Sequence, residues 1–263
     1  MKTDLRACGL IALHGVRVSV RQRLFIGVGA AVLVFAWLAL ELRAFHFGGG
    51  EVRLVADLAV AAWSIGGLAV TLMLTLGHLG GECGHRARTA LLSKALAPRA
   101  FVAGHWLAVM IGVGLFVVLM LGVTAGLMLR TGGPDARVPW ATLVQVGLLT
   151  LAKGGVVAAA VMLVCGLVRS GALAGWLAVL LVVAGQLRGV FAALPERMQI
   201  AGPVVARVIE FVVPDLALFD RGGALGAGQR IEWTDTAWLG AYAGLYAAGF
   251  LALAIQVFRR REI

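Results

Sequence analysis

Long apolar blocks alternate along this chain with short stretches that hold most of the basic residues. The last block, residues 237–258, contains no acid or base and is followed at once by Arg259, Arg260 and Arg261. Five earlier blocks are also predominantly apolar: residues 24–40, 54–79, 101–129, 140–168 and 171–190. Each reaches or approaches the roughly 20 residues that a helix needs to cross hydrocarbon. The pattern predicts an all-α polytopic membrane protein with six transmembrane helices. The third and fourth blocks exceed the bilayer requirement and are expected to tilt or project from it.

Between the blocks, three polar regions carry their own predictions. Residues 4–23 place Leu5, Cys8, Ala12, Val16 and Val20 at helical spacing, with Arg6, Arg17, Arg21 and Arg23 largely off that line. Two readings fit: an interfacial helix on the membrane surface, or a basic leader that sets topology. The stretch 80–99 begins with helix-breaking glycines, continues with good helix formers from Glu82 to Leu96, and meets Pro98. A short helix against the membrane face follows. The connection 191–236 is the longest. Within it Pro203 can open a helix that runs to Val213 and ends before Pro214, too short to span, so a re-entrant or interfacial hairpin is expected before the last span, with a Gly-rich turn at 222–228. The chain reads as one transmembrane domain over 1–263: leader 1–23, spans one to five over 24–190, hairpin 191–236, span six at 237–258 and tail 259–263.

Composition agrees. Hydrophobic residues make up 61%, charged residues 14%, and mean hydropathy is +0.95, all outside the range of an ordinary soluble domain. With the N-terminus inside, the cytoplasmic segments hold thirteen Lys and Arg against three acids, while the opposite side holds nine against ten. The positive-inside rule therefore places both termini in the cytoplasm. The same placement accounts for the net charge of +10 through topology and lipid headgroups, and argues against nucleic acid as a partner. Cys8, Cys83 and Cys165 fall in no outer loop and imply no disulfide framework. No cleavable signal sequence is expected at the N-terminus.

Candidate chemistry is sparse. No GxxxxGK[ST] phosphate loop occurs, so the chain is expected to hydrolyse no ATP itself and to bind no cofactor. Ser19, Ser64, Ser93 and Ser170 lie in no nucleophile elbow, and no catalytic residue is assigned. His78, Glu82, Cys83 and His85 match no zinc spacing, so no metal site is assigned. Lys153 stands inside the fourth span, where an ammonium costs about 2.5–3.5 kcal/mol on insertion scales. It is expected to face the bundle interior, either meeting an anionic substrate or joining helices through a polar partner such as Gln145 or Gln186. The pairs Gly122/Gly126, Gly171/Gly175 and Gly240/Gly244 fit the small-xxx-small pattern of helix contacts. The tryptophans are expected to anchor the interfaces or pack the spans.

The inner loop carries a resemblance. Glu82, Gly84, Leu91, Leu92, Ser93, Lys94, Arg99, Phe101 and Gly104 match an E-x-G…LLS-[KR]…R…F-x-x-G pattern that resembles the permease subunits of type-2 ABC exporters. The PDLALFD segment at 214–220 and the FRRREI tail are similar to further elements of that family, so the likeness spans nearly the full length. The chain resembles in particular the small permeases that accompany multicopper-enzyme maturation and gliding motility. It departs from the pattern at His85, Ala95 and His105. The resemblance implies a bacterial inner-membrane subunit that pairs with a second permease copy or paralogue and docks cytoplasmic ABC ATPase subunits, in which ATP and Mg are bound. In that reading residues 82–94 form a cytoplasmic coupling helix. Glu82 offers it a carboxylate, and Arg86, Arg88 and Lys94 pair with acidic groups on the ATPase. Topology alone would also make this loop basic. The contrasting reading is a membrane scaffold or assembly factor that binds a protein partner and transports nothing.

Overall fold

The computed structural model describes residues 2–21, six isolated positions between 27 and 41, and residues 51–79, 98–131, 138–168, 170–193, 213–226 and 229–260. Among these residues there is no strand. Six helices of more than one turn follow in order: α1 (Lys2–Arg21), α2 (Glu51–Leu79), α3 (Pro98–Thr131), α4 (Trp140–Leu167), α5 (Gly171–Ala193) and α6 (Trp233–Arg260). A 3-10 turn (Ala217–Phe219) and a one-turn helix (Gly223–Gly226) lie between α5 and α6.

Five of these helices, α2 to α6, are long and apolar enough to cross a membrane. They coincide with five of the six expected spans, each boundary lying within a few residues of its predicted place. The first expected span, 24–40, falls mostly outside the described residues; Gly27, Gly29, Ala30, Val34 and Trp37 within it are helical. Pro98 does more than interrupt the preceding stretch: it is the first residue of α3, where its missing N–H would have had no partner anyway. Ser170 opens α5, its hydroxyl accepting the Leu173 N–H at 3.4 Å.

The direction of each helix can be read from its contacts. At one end of the α2/α3 pair, the Trp63 indole donates to Thr124 Oγ1 at 2.9 Å; at the other, the His78 and His105 rings meet edge-on at 5.8 Å. These two helices are therefore antiparallel. Gln145 of α4 lies by Ile231 just ahead of α6, and Gly166 by Phe258 near its close, so α4 and α6 run in parallel. The bundle thus has two distinct ends. Arg99, Arg259 and Arg260 stand exposed at the basic end, where α2, α4 and α6 finish and α3 and α5 begin. The loop end holds Trp140, Arg130 and residues 213–232.

α4 is the axis of the bundle, in contact with α2, α3, α5 and α6. Its ten residues from Lys153 to Met162 are all buried, which no amphipathic surface helix would show. Small side chains make this possible. A methyl group added at Gly154 would lie 3.1 Å from Thr71 Oγ1, and one at Gly155 would lie 3.3 Å from Met110 Sδ. Close approach of this kind is what holds helices together where lipid is as apolar as leucine.

Two of the three glycine pairs singled out in the sequence behave otherwise; in the third, Gly175 does face α2, where an added methyl would lie 3.8 Å from Leu76 Cδ1. Gly122, Gly126, Gly240 and Gly244 lie on exposed faces, and a methyl at any of them would meet nothing within 4 Å. Within the protomer close helix contacts fall also at Gly67, Gly104, Gly112, Gly147, Gly154 and Gly155, and Gly104, Ala108 and Gly112 make a further small-xxx-small run that does lie in a helix contact.

α1 forms where expected and packs lengthwise on the first half of α3. Ile11 sits against Gly104 and Gly15 against Ala108, in the same order along both helices. Ala12 and Gly15 are buried in this seam, while Leu10 and Leu13 face outward. Its inner line is therefore covered by protein, through small residues on both sides.

Candidate functional site

The polar residues buried in the bundle do not scatter. Lys153 is 2% exposed on the central helix, and its side chain slants toward the start of α4, as helical side chains do, which carries the ammonium toward the loop end. There Nζ lies 2.8 Å from both Oδ1 and Oδ2 of Asp220 and 3.1 Å from Oγ of Ser64 on α2. The Ser64 hydroxyl in turn donates to Asp220 Oδ1 at 2.7 Å. Three short hydrogen bonds therefore converge on one carboxylate.

The expected partners of Lys153 need correction. Gln145 is 1% exposed, but its amide donates to the Ile231 carbonyl at 3.0 Å and fastens the approach to α6. Gln186 lies half-buried on α5 and is likewise not the ammonium's partner; the described bonds of Lys153 run to Ser64 and Asp220. Asp220 entered the sequence reading only as the end of PDLALFD, and Ser64 only as a serine without a nucleophile motif. An acid closing a short apolar run was the available signal for the first. Nothing local marks the second.

Asp220 is brought to Lys153 by a segment that enters the bundle between α2, α4 and α5. Leu216 is fully buried, and its N–H donates to the Gly185 carbonyl on α5 at 3.1 Å. Only glycine permits this: a methyl at position 185 would lie 2.8 Å from the Leu216 side chain and 3.0 Å from the Pro214 carbonyl. Arg188 donates to the Val213 carbonyl at 2.9 Å, and the Tyr242 hydroxyl of α6 accepts the Asp215 N–H at 3.0 Å. Asp215 Oδ1 then accepts the Ala217 N–H, which starts the 3-10 turn that aims Asp220 inward. On the far side Gly222 lies directly on Val60 of α2, leaving no room for a side chain. Phe219 and Leu225 of the same segment are buried.

The two charges differ in their surroundings. The Lys153 side chain is 3% exposed and belongs to the rigid helical body, whereas the Asp220 side chain is 35% exposed on a mostly non-helical segment. As arranged, the lysine nitrogen is committed to the carboxylate and the serine proton to Oδ1. The group is a charge pair with a hydroxyl bridge, not a serine nucleophile with a lysine base.

Of the other expected site residues, Arg99 stands in the first turn of α3 at the basic end. Glu82, Gly84, Arg86, Arg88, Leu91, Leu92, Ser93 and Lys94 lie outside the described residues. Tryptophans divide as two populations. Trp63 and Trp106 are packed inside and hydrogen-bonded, Trp106 to the Gly155 carbonyl at 3.1 Å, while Trp140 and Trp233 open α4 and α6 on exposed faces at the loop end.

No protein-family model matches the chain, and comparison with curated proteins returns no similar sequence. What is established is an all-helical chain with five helices able to cross a membrane, built around a central helix that buries an ion pair.

Proposed function

We propose that this chain is the membrane-spanning permease subunit of a type-2 ABC exporter in a bacterial inner membrane. It would hold six spans with both termini in the cytoplasm, pair with a second permease copy or paralogue, and be driven by separate ATPase subunits that bind ATP and Mg. One observation carries the reading most directly. The chain leaves α2 at Leu79 and re-enters α3 at Pro98 at the same basic end where α6 closes with Arg259 and Arg260. The stretch with the Glu82 to Arg99 pattern is thus tethered at the end that the positive-inside rule assigns to the cytoplasm. In this reading the stretch, joined to two long helices, would pass a push from an ATPase into the bundle.

Affinity purification of the tagged full-length chain from its native membrane tests the proposal. An ATPase subunit recovered in stoichiometric amount is expected, and Glu82→Ala should reduce that recovery while the chain still inserts. Recovery of a protein partner without any ATPase would support the scaffold reading and overturn this one. Cysteine labelling in intact cells gives a second arm: positions in 80–97 should be shielded from a membrane-impermeant maleimide, and positions in 213–232 should react.

A further inference from the structure

The Lys153 cluster has the composition of a ligand site with an internal occupant. Burying an ammonium at the axis of the bundle is expensive, and apolar residues of similar volume would serve packing as well or better. A charge kept in such a place is by default a functional one. The donors belong to the fixed part of the structure: Lys153 on α4 and Ser64 on α2, two helices in direct contact. They present to one carboxylate two N–H···O contacts of 2.8 Å and one O–H···O contact of 2.7 Å, the short range expected of charge-assisted bonds. Only the acceptor is carried by a segment outside the long helices. Residues 213–226 include one 3-10 turn and one helical turn, and besides the contacts of Asp220 their described hydrogen bonds to neighbouring helices are three: Leu216 to Gly185, Arg188 to Val213, and Asp215 to Tyr242. The Asp220 side chain remains 35% exposed.

We propose that Lys153 and Ser64 form a carboxylate-binding site whose resident ligand is Asp220, and that a carboxylate-bearing solute approaching from the loop end takes its place. Displacement frees the 213–226 segment from its only charged anchor on α4 among the described residues, so occupancy of the site is coupled to the position of that segment. The inference concerns binding and stands whether or not an ATPase drives the chain.

A tethered carboxylate competes at high effective concentration, so a small free acid competes poorly in the parent protein. The test therefore removes the resident. Full-length Asp220→Gly protein in detergent is titrated with sodium acetate, with sodium chloride and sodium sulfate at matched ionic strength as controls. Acetate should raise the thermal midpoint saturably, chloride and sulfate should not, and Asp220→Gly/Lys153→Met should lose the response. Asp220→Asn preserves side-chain shape and supplies the measurement if the glycine variant does not fold. In that variant acetate should speed hydrogen–deuterium exchange of 213–226 as it displaces the amide. An acetate effect equal to that of chloride or sulfate, or one that survives Lys153→Met, overturns the proposal.

Discussion

The unequal burial of Lys153 and Asp220 makes a quantitative prediction about what each contributes to stability. At an effective dielectric near 20, unit charges about 3 Å apart attract by roughly 5 kcal/mol, a gain largely offset by the several kcal/mol needed to strip each ion of water. The intact pair is therefore near neutral, but its two halves are not equivalent. Asp220→Ala strands an ammonium that is 2% exposed and leaves it Ser64 alone, and uncompensated buried charges of this kind cost about 3–5 kcal/mol. Water admitted through the vacated position puts the expected loss at the lower bound, about 3 kcal/mol. Lys153→Met frees a carboxylate that is already 35% exposed and keeps the Ser64 hydrogen bond, so its expected cost is within about 1 kcal/mol. The double variant has no stranded charge and should return to within about 1 kcal/mol of the parent, giving a coupling of about 3 kcal/mol in a double-mutant cycle. Equilibrium unfolding in mixed detergent micelles, followed by tryptophan fluorescence, measures all four proteins. Equal losses for the two single variants, or a double variant as unstable as their sum, would refute the reasoning from asymmetric burial.

Further outcomes follow from the way the 213–226 segment is seated and from the bundle core. Gly185→Ala forces Leu216 and Pro214 away from α5 and should cost about 1–3 kcal/mol by overpacking, read as faster amide exchange confined first to residues 213–226. Gly222→Ala should loosen the same segment from its other side, at Val60 on α2; unchanged exchange there would contradict the packing described. Trp63→Phe removes the indole bond to Thr124 and part of a fully buried ring, with an expected loss of about 2–3 kcal/mol in the same unfolding assay. By contrast Gly240→Ala, on an open face of α6, should leave the stability of the isolated protomer within about 0.5 kcal/mol.

The expected span boundaries and the observed helices agree closely for α2 to α6 because the constraint acts on each segment alone. A backbone in hydrocarbon must satisfy its hydrogen bonds internally, so a run of about 20 apolar residues is already a helix before any neighbour is specified. Lys153 was conspicuous for the same reason: one ionisable residue in such a run is visible without knowing what surrounds it. The expectation that it faces the interior is met, and so is the expectation of a polar partner. The identity of that partner was not legible. Ser64 and Asp220 lie 89 and 67 residues away in the chain, and neither periodicity nor a motif links them to α4.

Helix contacts divide in the same way. Gly122/Gly126 and Gly240/Gly244 have the expected spacing but face outward, while Gly154 and Gly155, adjacent to each other and to Lys153, lie in close contact with α2 and α3. In water an apolar stripe tells the buried face of a helix from the wet one. In lipid both faces are apolar, so the stripe disappears and with it the information about neighbours. Sequence by itself determined that this chain makes long apolar helices, where they begin and end, and that one of them carries a charge needing company. Tertiary structure alone decided that α4 is the axis, how residues 213–226 are seated against α2, α4 and α5, and that Asp220 meets Lys153, because those outcomes depend on shape fit and charge pairing between segments whose individual patterns are nearly the same.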